Sequence, residues 1–231
     1  MLTLDHLKLT FANFSLSADL VVPIGGITAI VGPSGGGKST LLSAIAGFVQ
    51  PSAGRVFWDG ADITQRPPGD RCVSILFQDN NLFPHLSVSQ NLLLGLRRSL
   101  RFESGDEDKI AQILDKVGLS GFQSRKPAAL SGGQQSRAAL ARVLLGGRPL
   151  VLLDEPFAAL GPALRDEMLD LCAETLATQG CTILMVTHDP RDAARVAGQT
   201  IVVLDGVAHA PAETGPLLAD PPDALRTYLG G

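Results

Sequence analysis

Gly32-Pro33-Ser34-Gly35-Gly36-Gly37-Lys38-Ser39 is the stretch on which the reading of this chain turns. It follows Ile27 to Val31, a continuous apolar run of the kind that makes a buried strand. It opens onto Ser39 to Ile45, which reads as a helix ended by Gly47. Strand, glycine-rich loop and helix form the context in which G-x-x-x-x-G-K-[ST] holds phosphate. The glycines let backbone N–H groups turn inward around phosphate oxygens, and the helix N-terminus adds positive potential. The expected ligand is a nucleoside triphosphate. Lys38 is expected to reach its β- and γ-phosphates, Ser39 to ligate Mg²⁺, and Thr40 to donate to the α-phosphate.

The other half of such a site is an apolar strand ending in a carboxylate. Leu150-Val151-Leu152-Leu153-Asp154-Glu155 supplies it. Asp154, at the strand end, suits the Mg²⁺ shell, and Glu155 suits orienting or deprotonating an attacking water.

The rest of the chain is organised around these two segments. Leu2 to Asp5 and Phe14 to Ala18 alternate apolar and polar residues, the mark of half-exposed antiparallel strands. Gly54 to Trp58 is a strand ending at an Asp59-Gly60 turn, and Val73 to Phe77 is a further buried strand. Helical patterns then take over near Ser89–Leu96, Asp106–Val117 and Ser131–Leu145. After Arg148-Pro149 the alternation resumes. It gives a strand at Leu150–Leu153, a helix at Ala163–Gln179 with Pro162 in its first turn, and a strand at Thr182–Val186. A helix at Arg191–Ala197 and a strand at Thr200–Leu204 complete it. Strands alternating with helices predict a largely parallel sheet covered on both faces. The fold class is therefore α/β, one domain over 1–231. Its core spans about 1–84 and 148–231, it carries an N-terminal antiparallel β subdomain, and a helical subdomain is inserted at about 85–147.

Composition narrows the function. Of 231 residues, 45% are hydrophobic and 18% charged, as in a globular domain. With 19 basic against 23 acidic residues the net charge is −4, which disfavours a nucleic-acid partner. The longest uncharged window, Leu20 to Gly37, holds six glycines and two prolines, so no membrane span is expected there. No signal peptide is expected, and membrane business would run through a partner. Cys72, Cys172 and Cys181 have no metal-ligand spacing and read as buried reduced thiols.

Leu130-Ser131-Gly132-Gly133-Gln134 begins a helix, with Ser131 as N-cap candidate and two glycines leaving N–H groups open to an anion. Gln78 follows one buried strand, and Val186-Thr187-His188-Asp189 ends another. With these residues in this order, the chain resembles the ATP-binding subunits of ABC transporters along essentially its whole length. The resemblance implies a P-loop ATPase core and two ATP molecules sandwiched head-to-tail in a homodimer. It implies that Ser131, Gly132, Gly133 and Gln134 meet ATP held by the other protomer's Lys38, and that Gln78 touches Mg²⁺ or the attacking water. It gives His188 a contact to the γ-phosphate. An aromatic near the first strand would stack on adenine, Phe11 being the candidate and Phe14 its rival. It also implies integral membrane permease subunits as partners, a periplasmic solute-binding protein as an indirect one, and a peripheral place on the cytoplasmic face of the inner membrane.

Two segments depart from the family pattern. Ala158-Ala159-Leu160-Gly161 stands where Ser-Ala-Leu-Asp is usual, so contact with the opposite phosphate loop is expected to weaken while hydrolysis survives. Ser136 replaces a common glutamine and is expected to be a tolerated surface change. The short span from Gln78 to Ser131 fits a transporter-type helical insertion, and no additional regulatory domain is expected. Within the family, three segments resemble thiamine importers' ATP-binding subunits: Phe77-Gln78-Asp79-Asn80-Asn81-Leu82-Phe83-Pro84-His85-Leu86, Gln90 to Leu96, and Pro162 to Leu169. Importers of iron, molybdate, sulfate or a polyamine, and a non-transport ATP-dependent switch, are the alternatives.

Overall fold

The computed structural model describes residues 1–178, 180–223 and 225–226. The chain begins with β1 (Leu2–Phe11), β2 (Phe14–Val22), β3 (Gly26–Val31), α1 (Lys38–Ala46), β4 (Ala53–Trp58), β5 (Ala61–Asp62) and β6 (Val73–Leu76). Helices α2 (Val88–Leu96), α3 (Asp106–Lys116) and α4 (Gly132–Leu145) follow. Alternation then resumes with β7 (Leu150–Asp154), α5 (Pro162–Thr178), β8 (Thr182–Val186), α6 (Pro190–Val196) and β9 (Gln199–Leu204). Short elements close the described chain: β10 (Val207–Ala208), β11 (Ala212–Glu213) and α7 (Thr214–Ala219). The expected helix 163–179 is α5, with Gln179 outside the described residues.

The strands run in the order β5-β4-β1-β2-β10-β9-β3-β8-β7-β6, with β11 also on β9. Pairing among β9, β3, β8, β7 and β6 is parallel. Pairing among β5, β4, β1 and β2 is antiparallel. The sheet is therefore mixed rather than largely parallel. Val207 and Ala208 join the halves, parallel to β2 and antiparallel to β9. Two residues are too short a run to leave a period in the sequence, and their pairing is set by distant strands.

Alternation along each buried strand divides the core. Leu150 and Leu152 of β7 and Leu184 and Val186 of β8 pack with Leu41, Leu42 and Ile45 of α1 and with Leu2, Leu4, Leu7 and Leu9 of β1. Val151, Leu153, Ile183 and Met185 point the other way, into the core shared with α2, α3, α4 and α5. Helix α1 thus lies between the antiparallel strands and the parallel ones, which fixes the phosphate loop at its N-terminus. In β1 a bulge between Leu4 and Leu7, with His6 at φ 46°, keeps both leucine pairs on the inner face.

Two single-residue readings change in the structure. Ser136 is buried, not on the surface, and its hydroxyl donates to the Gly132 carbonyl at 3.2 Å, one turn back on the inner side of α4. Cys72 is exposed because Arg71 beside it takes the inward position. Cys172 and Cys181 are buried, and loss of hydration pushes the Cys172 thiol up to about 12. Among the described residues no helix is long and apolar enough to cross a membrane.

Candidate functional site

The residues singled out in the sequence gather at the C-terminal ends of parallel strands. Gln78 follows β6, Asp154 and Glu155 end β7, His188 follows β8, and Gly32 to Lys38 follow β3. In the sheet these strands stand side by side, and Val186 is level with both Ile30 and Asp154. Loops at the carboxyl ends of such strands form the crevice in which α/β proteins bind ligands.

Close packing explains the glycines of the phosphate loop. A Cβ on Gly32 would lie 2.1 Å from the Val203 carbonyl oxygen, and one on Gly37, at φ +97°, would lie 2.4 Å from Cζ of Phe14. The Lys38 ammonium is buried in the loop's concavity and donates to the carbonyls of Gly32 and Pro33 at 2.8 and 2.9 Å. Burial lowers its pKa, opposed by the charges of Glu155 and Asp154. Ser34 and Gly35 are exposed at the mouth of the loop, Gly36 and Thr40 are half-buried, and Ser39 is exposed.

Ser39 donates its hydroxyl proton to Asp154 at 2.9 Å, closing a sequence gap of 115 residues. Burial raises the Asp154 pKa most, and the nearby Glu155 charge adds to it, while the Ser39 hydrogen bond and Lys38 pull it down. Asp154 also lines an open groove of about 670 Å³ with Phe77, Gln78, Asp79, Asn81 and Ala159. A hydroxyl, a carboxylate and an amide oxygen are hard donors of the kind Mg²⁺ takes, so the residues present fit that ion. Glu155 sits at φ 45°, left-handed backbone that a residue with a side chain rarely adopts. Its carboxylate is hydrogen-bonded to Nδ1 of His188 at 2.9 Å.

Phe11 and Phe14 face each other across the β1–β2 turn with ring centroids 6.2 Å apart. Phe14 packs into the core beneath the loop, against Gly37, whereas Phe11 is 44% exposed. Phe11 is thus the more accessible ring of the two.

The Leu130-to-Gln134 segment stands at the start of α4. Ser131 is the N-cap of α4 in a reciprocal cap: its hydroxyl accepts from Gln134 N at 3.3 Å, and its own N–H donates to Gln134 Oε1 at 2.9 Å. Gly132 and Gly133 form the first turn, with Gly133 against Leu164 of α5. Ser131, Gly132 and Gln134 make no hydrogen bond to the phosphate loop of their own chain among the described residues.

Sequence reading passed over a layer behind Glu155 and His188. Arg165 of α5 is 15% exposed and its guanidinium is hydrogen-bonded to Asp192 of α6. It lines a small enclosed space with Glu155, Thr187 and His188. The only available signal was an Arg in one helix and an Asp in the next, a pattern shared by many solvated surfaces. Arg71 was passed over as well, because its partners are backbone carbonyls, which no residue type announces.

Comparison with known proteins agrees with this geometry. A family model described as ABC transporter matches residues 17–158. The thiamine import ATP-binding protein ThiQ of Cereibacter sphaeroides is 58% identical over 230 residues, covering 100% of both chains. The protein of that name from a Ruegeria species is 52% identical over the same coverage. Among solved structures, the ADP conformation of MJ1267, an ATP-binding cassette of an ABC transporter, superposes with a TM-score of 0.86 at 27% identity, covering 100% of this chain and 99% of that one. A dimeric post-hydrolysis state of the cassette MJ0796, bound to ADP and Pi, gives 0.78 at 27% identity over 93% of this chain and 99% of the other.

Proposed function

The chain belongs to the ABC transporter family, and we propose that it is the ATP-hydrolysing subunit of a thiamine importer, acting as a homodimer on membrane permease subunits. The observation that carries the ATPase reading is the convergence of Lys38, Gln78, Asp154, Glu155 and His188 at one end of four neighbouring parallel strands. Thiamine is supported by the names of relatives matching over the full chain.

The loop from Gly32 to Thr40 binds the phosphates of ATP through its N–H groups. Lys38 exchanges its two carbonyl partners for β- and γ-phosphate oxygens, and Thr40 donates to the α-phosphate. Ser39, Asp154 and Gln78 hold Mg²⁺, which when bound offsets the negative charge on the phosphates. Glu155 orients the attacking water and takes its proton. His188, hydrogen-bonded to Glu155, contacts the γ-phosphate. Phe11 stacks on the adenine.

Ser131, Gly132, Gly133 and Gln134 close over ATP held by the partner protomer. Their hydrogen bonding within their own helix start, away from their own phosphate loop, supports that assignment in trans. Closure and hydrolysis then drive permease subunits at the cytoplasmic face of the inner membrane. Solute choice belongs to the permease and a periplasmic solute-binding protein, so none of the residues above contacts thiamine.

The test is uptake of labelled thiamine by cells lacking this chain, restored with the native form or with Glu155→Gln. Uptake returning only with the native form is the expected result. Uptake undiminished by the deletion, in cells without a second thiamine transporter, would refute the thiamine assignment.

A further inference from the structure

We propose that Arg165 is a positioning residue that sets the place of His188 by holding Asp189 directly and Thr187 through Asp192. Its Nη2 is hydrogen-bonded to Oδ2 of Asp192, and that same oxygen accepts the Thr187 hydroxyl at 2.6 Å. Its Nη1 lies 3.5 Å from Oδ2 of Asp189. Thr187 and Asp189 are the two neighbours of His188. They are also tied to each other, since Asp189 N donates to Thr187 Oγ1 at 3.1 Å, and Thr187 N donates to the Ile30 carbonyl of β3 at 3.2 Å.

The arrangement has the character of a clamp rather than a surface ion pair. Arg165, Asp189 and Asp192 are each at most 15% exposed at the side chain, so their attraction is only weakly screened. A planar guanidinium hydrogen-bonded to Asp192 through one nitrogen and in ion-pair contact with Asp189 through the other also fixes direction, which a lysine ammonium does not. Arg191, by contrast, is solvent-exposed and holds Asp189 alone from outside. Arg195 is engaged with Asp166 and Asp170. Among the described residues, removing Arg165 leaves the Asp192 side chain with the Thr187 hydroxyl as its remaining hydrogen-bond partner and loosens the inner side of the loop carrying the imidazole.

The clamp also has a second end. Arg165 N donates to the Gly161 carbonyl at 2.9 Å, so its backbone belongs to the first turn of α5, directly after Ala158 to Gly161. Displacement of that segment reaches His188 through one side chain. Only the kinetic arm of the test rests on the ATPase reading above.

The experiment compares Arg165→Met, Arg165→Lys, Thr187→Val and His188→Ala, together with the double variant Arg165→Met/His188→Ala. Steady-state ATP turnover is measured, and the imidazole resonances of the chain's four histidines are followed by NMR. Arg165→Met is expected to lower kcat about 10- to 100-fold, the range for residues that orient a reacting group, with KM for ATP changed less than about twofold. Arg165→Lys is expected to recover part of the loss. The double variant is expected to be no slower than His188→Ala alone, and the His188 resonances to shift in Arg165→Met and in Thr187→Val. Equal kcat losses from Arg165→Met with and without His188, or unmoved His188 resonances, would overturn the proposal. Should Arg165→Met fail to fold, Thr187→Val removes one hydroxyl only and decides by the same two readouts. A native chain that does not hydrolyse ATP would defeat the functional reading, whereas the resonances still decide the clamp.

Discussion

Replacing Arg71 with Met would remove the largest of the fully buried side chains, and the structure sets the size of the effect. The guanidinium donates to four backbone carbonyls: Ala44 at 2.8 Å and Ile45 at 2.6 Å in the last turn of α1, Thr64 at 2.7 Å and Arg66 at 2.9 Å. It is therefore a cation at the negative end of a helix macrodipole, and among the described residues no carboxylate is hydrogen-bonded to it. Hydrogen bonds to a charged group are worth about 1.5–3 kcal/mol each, and withdrawing the cation from water costs several kcal/mol in return. Met fills a similar volume, so little cavity is left, but the carbonyls lose these donors. A net loss of about 3–5 kcal/mol follows, or a fall in Tm of about 10 °C for a chain of this size.

Thermal unfolding and urea titration of the native chain, Arg71→Met and Arg71→Lys measure it. Lys is expected to recover less than half, because one ammonium cannot span four carbonyls on two segments. Nucleotide affinity of the folded variant is expected to change less than about threefold, since Lys38 lies at the other end of a nine-residue helix, about 14 Å away. A Tm within about 3 °C of the native value would refute the argument, because it would mean a loss below about 1 kcal/mol.

Gly161→Asp meets no atom within 4 Å of the new Cβ, so it is expected to leave stability unchanged and to raise the Hill coefficient of ATP turnover; an unchanged coefficient counts against weakened coupling between the two ATP sites. Phe11→Ala is expected to raise KM for ATP about 5- to 10-fold, the loss of roughly 1–1.5 kcal/mol of stacking, with Tm almost unmoved, whereas Phe14→Ala lowers Tm because that ring supports the phosphate loop. Asp189 has its pKa pulled from the usual 3.8 to about 2, chiefly by its hydrogen bond to Arg191. A depressed carboxylate stabilises the fold above the unfolded pKa and loses that contribution as pH falls through the folded one, so Asp189→Asn is expected to flatten the acid-unfolding curve between about pH 4 and pH 2. Identical acid limbs would count against the pairing.

What was legible in the sequence is what neighbours along the chain determine. The phosphate loop needs only a strand before it, glycines within it and a helix after it, all inside Ile27 to Gly47. Ser131 announces a helix N-cap, to which the structure adds Gln134 as its reciprocal partner, and Leu150 to Asp154 announces a strand end carrying an acid. Such signals survive any tertiary arrangement because sterics and hydrogen bonds over a few residues produce them. Tertiary structure decided the rest. Packing against Gly37 distinguished Phe14, the rival aromatic, from Phe11, the candidate, which is exposed. Pairing with β2 and β9 made Val207-Ala208 the seam of the sheet. Burial turned Ser136 inward and left Cys72 outside. Above all, Arg71 and Arg165 look like surface arginines until distant segments bring carbonyls and carboxylates around them. A buried charge has no period of its own, and partners such as Ala44 for Arg71 and Asp192 for Arg165, each 27 residues away, are chosen by the folded chain.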